Sequence, residues 1–310
     1  MASLRARLIN SIMRRRVKGR LAACATSLDA RKMFHGRPLP GPFGVVFAPA
    51  ALGGVAGEWA EAKAGGPARA TLFYLHGGGY IGMSPATHRH LTGAFARRGF
   101  RVFAADYRLA PEHPFPAAVE DATAAWLGLR ARVAGPAYVA GDSAGGGLTL
   151  ALLMRLRDLG ERGPDGACLF SAWTDLAVTG ASTRTNENRD PLLVSSGLER
   201  VAAAYLDGAD PRTPLASPLY GDFAGLPPLI FFVGDTEILL DDTLRAAERA
   251  RALGVPVELR VGPDMPHVWP FLNRITPEGR RAMDEAAAFL LGAPERAAIP
   301  AAAEASAATT

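Results

Sequence analysis

Ser143 stands in the run Tyr138-Val139-Ala140-Gly141-Asp142-Ser143-Ala144-Gly145-Gly146-Gly147. The run reads as an apolar strand, then Gly-x-Ser-x-Gly, then a helix-length apolar segment. A turn from strand to helix at such a serine is so sharp that the residues two before and two after it nearly touch, which demands glycine-sized residues at 141 and 145. The turn would push the Ser143 hydroxyl into the open, near the positive end of the following helix. The chemistry this suggests is nucleophilic attack, and a serine hydroxyl attacks only when a base takes its proton. In this arrangement the partners follow the serine in the order acid, then histidine. Five of the six histidines (His35, His76, His88, His90 and His113) precede Ser143. That leaves His267, at the end of Gly262-Pro263-Asp264-Met265-Pro266-His267.

The acid belongs in the loop after the apolar run 229–233, which offers Asp235, Glu237, Asp241 and Asp242. Aspartate and glutamate can both orient an imidazole and stabilise the imidazolium. From loop position alone Asp235 and Glu237 are equal candidates, while Asp241 and Asp242 read as residues that start a helix. A third group is His76-Gly77-Gly78-Gly79-Tyr80, directly after another apolar run. Glycines without side chains let backbone N–H groups approach a developing oxyanion, and Gly78, Gly79 and Ala144 are the expected donors. The same glycines lack the Lys-Ser/Thr of a phosphate loop and a third glycine at dinucleotide spacing, so nucleotide binding is not expected. The two cysteines, Cys24 and Cys168, lack zinc-site spacing and cannot form a disulfide framework; no metal is expected.

These groups need elements to hold them. Strand-like apolar runs fall at 70–75, 101–105, 137–140, 167–172, 229–233 and 257–261, with two weaker candidates near 45–48 and 55–60. Helix-length segments lie between most of them, at 87–98, 117–133, 144–159, 243–253 and 278–290. This alternation predicts an α/β fold with a mostly parallel sheet covered on both faces. Residues 175–228, partly helical at 197–206, are long for one connection and suit a piece of cap over a site. The expected organisation is an N-terminal cap segment over 1–40, a catalytic domain over 41–292 with a cap insertion at about 175–228, and a disordered tail over 293–310.

Composition narrows the classes. With 49% hydrophobic and 21% charged residues in 310, the chain is globular rather than disordered. The net charge of +4 is unevenly placed: Arg5, Arg7, Arg14, Arg15, Arg16, Lys18 and Arg20 all precede the first acid, Asp29. Such a cluster could serve nucleic acid, an anionic membrane or a transit peptide. The reading preferred here is an amphipathic helix with Leu4, Leu8, Ile12, Val17 and Leu21 on one side and the arginines in water. No aromatic residue interleaves to stack bases, so no nucleic-acid partner is expected. Lys18 and Arg20 interrupt the stretch before Leu21-Ala22-Ala23-Cys24, which excludes an export signal. No apolar run approaches the ~20 residues needed to span a bilayer. A cytoplasmic protein without stable membrane insertion is the expectation.

At these residues the sequence resembles the hormone-sensitive-lipase family of α/β-hydrolase esterases. The likeness rests on His76–Tyr80, on Asp106-Tyr107-Arg108-Leu109-Ala110-Pro111-Glu112-His113-Pro114-Phe115-Pro116-Ala117 and on Gly141–Gly146. It extends to Trp173-Thr174-Asp175-Leu176, Ser217-Pro218-Leu219-Tyr220 and 226–233, and covers roughly residues 40–290. The resemblance implies an α/β-hydrolase fold with an eight-stranded, mostly parallel sheet, a small helical cap and no cofactor. It makes a homodimer plausible, and it makes the Tyr107–Pro111 stretch a buried brace for the oxyanion loop. One departure concerns the acid. The family commonly places an aspartate, in Asp-Pro-Leu-x-Asp, about thirty residues before the histidine. Here the stretch is Gly234-Asp235-Thr236-Glu237-Ile238-Leu239-Leu240-Asp241-Asp242, and thirty residues before His267 is Glu237. Glu237 is therefore the expected acid, with Asp235 second. The implied activity is that of a serine carboxylesterase on short-chain acyl esters, with a small-molecule ester as the partner. A lactone would be opened by the same groups. A non-catalytic small-molecule receptor on the same scaffold is the alternative from another class, and a membrane-surface lipase is a third.

Overall fold

The structure, a computed structural model, describes residues 2–34 and 40–292. The expected tail over 293–310 and His35 lie outside the described residues. Eight strands form one sheet: β1 (Val45–Leu52), β2 (Val55–Ala62), β3 (Ala70–Leu75), β4 (Phe100–Ala105), β5 (Ala137–Asp142), β6 (Ala167–Phe170), β7 (Leu229–Gly234) and β8 (Val257–Gly262). Their spatial order is β1-β2-β4-β3-β5-β6-β7-β8. β1 pairs antiparallel with β2, and β2 with β4; from β4 through β8 all neighbours are parallel. β3, β5, β6 and β7 are buried along their whole length, which explains their continuous apolar runs. The two weak strand candidates extend into a tight hairpin. Gly53 and Gly54 make its two-residue turn with φ of 56° and 83°, a conformation that favours glycine.

The helices are α1 (Leu4–Met13), α2 (Gly19–Ala22), α3 (Ser27–Phe34), α4 (Arg89–Ala96), α5 (Ala117–Arg130), α6 (Ala144–Asp158), α7 (Ser182–Thr185), α8 (Ser195–Leu206), α9 (Leu240–Ala252) and α10 (Pro277–Leu291). A π-helical stretch, Arg14–Lys18, joins α1 to α2. Side chains alternate across the sheet, so two cores form. Phe73, Phe103, Val139, Leu169 and Phe231 pack against α5, α6 and α9. Leu72, Tyr74, Val102, Tyr138, Phe170 and Phe232 pack against α4 and α10. The long connection from β6 to β7 carries α7 and α8. Tyr205 of α8 stacks on Tyr80, 3.9 Å between ring centres, and so holds α8 over the glycine loop after β3.

The N-terminal helix differs from expectation. Of the five apolar residues proposed for a covered side, only Leu21 is buried. Leu4 is 82%, Leu8 62% and Ile12 47% exposed. The reason is that α1 is held by polar groups rather than by its leucines. Ser3 bonds Glu278 of α10 through its N–H (2.7 Å) and hydroxyl (3.0 Å). Asn10 donates to the carbonyl of Asp264 at 2.8 Å, and Arg14 to that of Arg189 at 2.8 Å. Lys18 reaches the carbonyls of Glu187 and Asp190. Ala6, small enough to allow close approach, is the buried contact of α1. Periodicity reveals an amphipathic helix but not which face the body takes. Among the described residues no helix is long and apolar enough to cross a membrane.

Candidate active site

The site is built on the C-terminal ends of β3, β5, β7 and β8. Ser143 follows β5 with φ 53° and ψ −122°, a strained backbone for a residue with a side chain. The tightness anticipated for this turn is visible in its glycines. A Cβ on Gly141 would lie 2.2 Å from the carbonyl oxygen of Gly145, and one on Gly145 would lie 2.1 Å from that of Leu75. The bend leaves the Ser143 hydroxyl facing a cavity of about 250 Å³.

His267 reaches it from the loop after β8. Its Nε2 lies 2.9 Å from Ser143 Oγ, and its Nδ1 lies 2.7 Å from Glu237 Oε2. Because an ionised carboxylate can only accept, Nδ1 carries the proton and Nε2 is left to accept from the serine hydroxyl. Glu237 is completely buried, and its other oxygen accepts from the Gly234 N–H at 2.5 Å and the Ser171 hydroxyl at 2.7 Å. Ser171 in turn accepts from the Val268 N–H at 3.0 Å, so one hydroxyl ties the acid to the histidine loop. The Thr236 hydroxyl adds a second tie, 2.7 Å to the carbonyl of Met265. Asp235 is turned away: its carboxylate accepts from the Asp264 N–H at 2.7 Å and faces Arg189 at 3.6 Å. Of the two acids left equal by loop position, the structure brings Glu237 to the imidazole.

Electrostatics follow from this burial. Desolvation pushes the His267 pKa down, but the hydrogen bond and charge of Glu237 outweigh it and hold it above 6.5. Burial pushes the Glu237 carboxyl up, opposed by its bonds to His267, Gly234 and Ser171.

The glycine loop lies opposite. Gly78 (φ 112°) and Gly79 (φ 64°) take backbone conformations that favour glycine, and a Cβ on Gly78 would lie 2.3 Å from the Gly82 carbonyl oxygen. The N–H groups of Gly78, Gly79 and Ala144 donate to no acceptor among the described residues. Behind the loop, Tyr107 donates to the His76 carbonyl at 2.5 Å and stacks on the His76 ring at 4.3 Å. Burial drives the His76 pKa down to about 3, so this ring is neutral.

Sequence reasoning passed over Asp142, the residue before Ser143. It is buried and accepts from the Tyr74 hydroxyl at 2.7 Å and the Gly77 N–H at 3.1 Å, with His88 Nε2 at 3.3 Å. Asp142 thus joins the elbow to the glycine loop. An acid among buried residues at a strand end was the signal available. Ser171, a polar residue closing an apolar run, was the other. Among the described residues no cluster of three or more His, Cys, Asp or Glu side chains could hold a metal ion.

The rest of the cavity wall is mostly apolar, with Arg200 of α8 and His88 as its charged or polar members. Met13, Leu21 and Ala30 come from the N-terminal helices, and Leu192, Leu193, Leu198 and Val201 from the β6–β7 connection.

A parallel sheet of this order, a serine on a strained strand-to-helix turn, and a histidine and acid delivered by later loops define an α/β hydrolase. Residues 72–271 match a family described as the alpha/beta hydrolase fold. The chain is similar to an acetyl-hydrolase of Streptomyces hygroscopicus, 47% identical over 77% of this chain and 80% of that protein. It is 38% identical to an esterase of Acinetobacter venetianus, over 78% and 80% of the two chains. Among solved structures, an esterase from the bacterial hormone-sensitive lipase family is 40% identical and superposes with a TM-score of 0.88, covering 95% of this chain and 99% of that one. EstE5 soaked with p-nitrophenyl butyrate superposes with a TM-score of 0.89 at 36% identity, over 95% and 100%. The chain belongs to the hormone-sensitive-lipase family of α/β-hydrolase esterases.

Proposed function

We propose that the protein is a serine carboxylesterase acting on short-chain acyl esters through an acyl-enzyme. The observation that carries this reading is the line Ser143 Oγ, His267 Nε2, His267 Nδ1, Glu237 Oε2, with spacings of 2.9 and 2.7 Å at its two hydrogen bonds. His267 takes the proton of Ser143 as its oxygen attacks the ester carbonyl. The N–H groups of Gly78, Gly79 and Ala144 receive the negative charge that develops on the carbonyl oxygen. His267 then gives its proton to the departing alcohol. Water, activated by the same imidazole, releases the acid and restores Ser143. Glu237 keeps the proton on Nδ1 and stabilises the imidazolium throughout.

Short acyl chains are supported by the cavity, whose volume of about 250 Å³ falls below the ~300–1,000 Å³ usual for drug-sized ligands. The activity named for the Streptomyces relative, acetyl hydrolysis, points the same way. In this reading the described residues of the 1–40 segment and residues 175–228 form the cap. A cytoplasmic location belongs to the same proposal, supported by two cysteines that are both buried free thiols, and so does a homodimer.

The test is a series of chromogenic acyl esters of rising chain length, with Ser143→Ala alongside. Fast turnover of short chains, declining with length and abolished in the variant, is expected. Rates that survive Ser143→Ala would overturn the mechanism. A folded wild type silent on every ester would shift the reading to lactones, and silence there as well to a receptor.

A further inference from the structure

The exposed side of α1 carries an unusual combination. Leu4, Leu8 and Ile12 are spaced by four residues, so they line up as one stripe along the helix. All three face solvent, at 82%, 62% and 47% exposure. Ser3, Asn10 and Arg14, which fasten the helix, use its other side, and Arg5 at the border of the stripe adds a 3.3 Å bond to the Ile275 carbonyl. Arg5, Arg7, Arg15 and Arg16 are exposed beside the stripe, and no acidic residue precedes Asp29. Close by, Arg7, Arg14, Arg15 and Arg189, with a single acid, Asp264, line an open polar groove of about 540 Å³.

We propose that this helix is a docking surface for an anionic phospholipid bilayer, lying in the plane of the headgroups. An amphipathic helix with leucines on one face and arginines at its borders gains both from inserting its apolar stripe at the acyl boundary and from the negative surface potential. Charge decides between occupants. A second copy of this chain would bring two basic helices together, and a nucleic acid would leave the leucine stripe in water with no aromatic side chain nearby to stack a base. An anionic lipid surface satisfies stripe and arginines at once. The attachment is reversible and peripheral, for a single short helix does not span the bilayer. Because Met13 and Leu21 of the same helical run line the cavity over Ser143, docking brings that cavity beside the surface, where amphiphilic esters concentrate.

The experiment is co-sedimentation of the full chain with vesicles of phosphatidylcholine alone or mixed with phosphatidylglycerol, at rising salt. Binding is expected only with phosphatidylglycerol and should weaken as salt is added. Arg15→Gln/Arg16→Gln should weaken it about 30-fold, from the usual contribution of two basic residues near such a surface. Leu4→Ser/Leu8→Ser/Ile12→Ser should weaken it about tenfold or more. Both variants should hydrolyse a water-soluble short ester at the wild-type rate, which shows that they fold. Ser143→Ala should bind vesicles like wild type, so docking is judged separately from the catalytic reading. Equal binding to both vesicle types, or undiminished binding by the triple serine variant, would overturn the proposal. So would a dimer in solution that the triple variant dissociates, or tighter retention by an RNA oligonucleotide than by vesicles.

Discussion

The cavity over Ser143 has two walls built on opposite principles. The sheet wall is held by directional bonds. Glu237 accepts three, from Gly234, Ser171 and His267, Asp142 accepts from Tyr74 and Gly77, and the His76 carbonyl accepts from Tyr107. The helical wall presents mostly apolar area, Arg200 apart. Met13, Leu21, Ala30, Leu192, Leu193, Leu198 and Val201 face the cavity, while its ties to the rest of the protein, such as Asp190 accepting from the Ile238 N–H, run outside it. A wall made of hydrogen bonds defines angles and protonation states to a fraction of an ångström; a wall made of methyl groups defines only a volume. Changes to the first should alter whether the reaction runs, and changes to the second which ester is accepted.

The sharpest way to break this comparison is to strike the sheet wall. Ser143→Ala and His267→Ala should each lower kcat by ~10⁶, and the double variant should be no worse than either alone, because the residues act as a unit. Glu237→Gln should cost ~10⁴, measured with the same short ester. Glu237→Asp keeps the charge but withdraws it from Nδ1 by one methylene, so about 10²-fold is expected. Asp235→Asn should stay within about twofold; a larger loss than that of Glu237→Asp would mean the acid has been misassigned.

Leu198→Ala tests the other wall. It should shift preference toward longer acyl chains by about tenfold in relative kcat/KM while leaving the shortest ester little changed. An equal loss on every ester would show that the helical wall, too, positions the reaction. The mildest effect is in pH. His267 is a base only when unprotonated and its pKa is held above 6.5, so kcat/KM should fall as the pH drops through that raised value. In Glu237→Gln the residual activity should keep its acid limb at a lower pH, since burial then acts on the imidazole without the carboxylate.

The sequence was legible where one residue type is physically forced. The run Ala70–Leu75 is hydrophobic at every position but Thr71 because both faces of β3 are covered, and strand and structure coincide there. The elbow could be read because only glycine fits at 141 and 145. Glu237 was less accessible: nothing in the residues alone separated it from Asp235, since the difference lies in which way a loop turns after Gly234. The helix bearing Leu4, Leu8 and Ile12 shows the opposite limit. Its spacing was plain, but whether leucines or Ala6 would face the body depended on Glu278, Asp264 and Arg189, all distant in the chain. Asp142 and Ser171 leave only a faint signal, a polar residue at the end of an apolar strand; its meaning comes from the partners that other strands deliver.

The glycines at 77 and 145 carry one more lesson. A Cβ on Gly145 would strike the end of β3, and a Cβ on Gly77 would lie 2.3 Å from a carboxylate oxygen of Asp142 at the end of β5. The two strand ends are packed without room for a further methyl group at these glycines, so the Ser143 turn and the glycine loop after β3 are positioned together. For anyone diversifying this scaffold, the two form a single closed locus, to be varied together rather than one at a time.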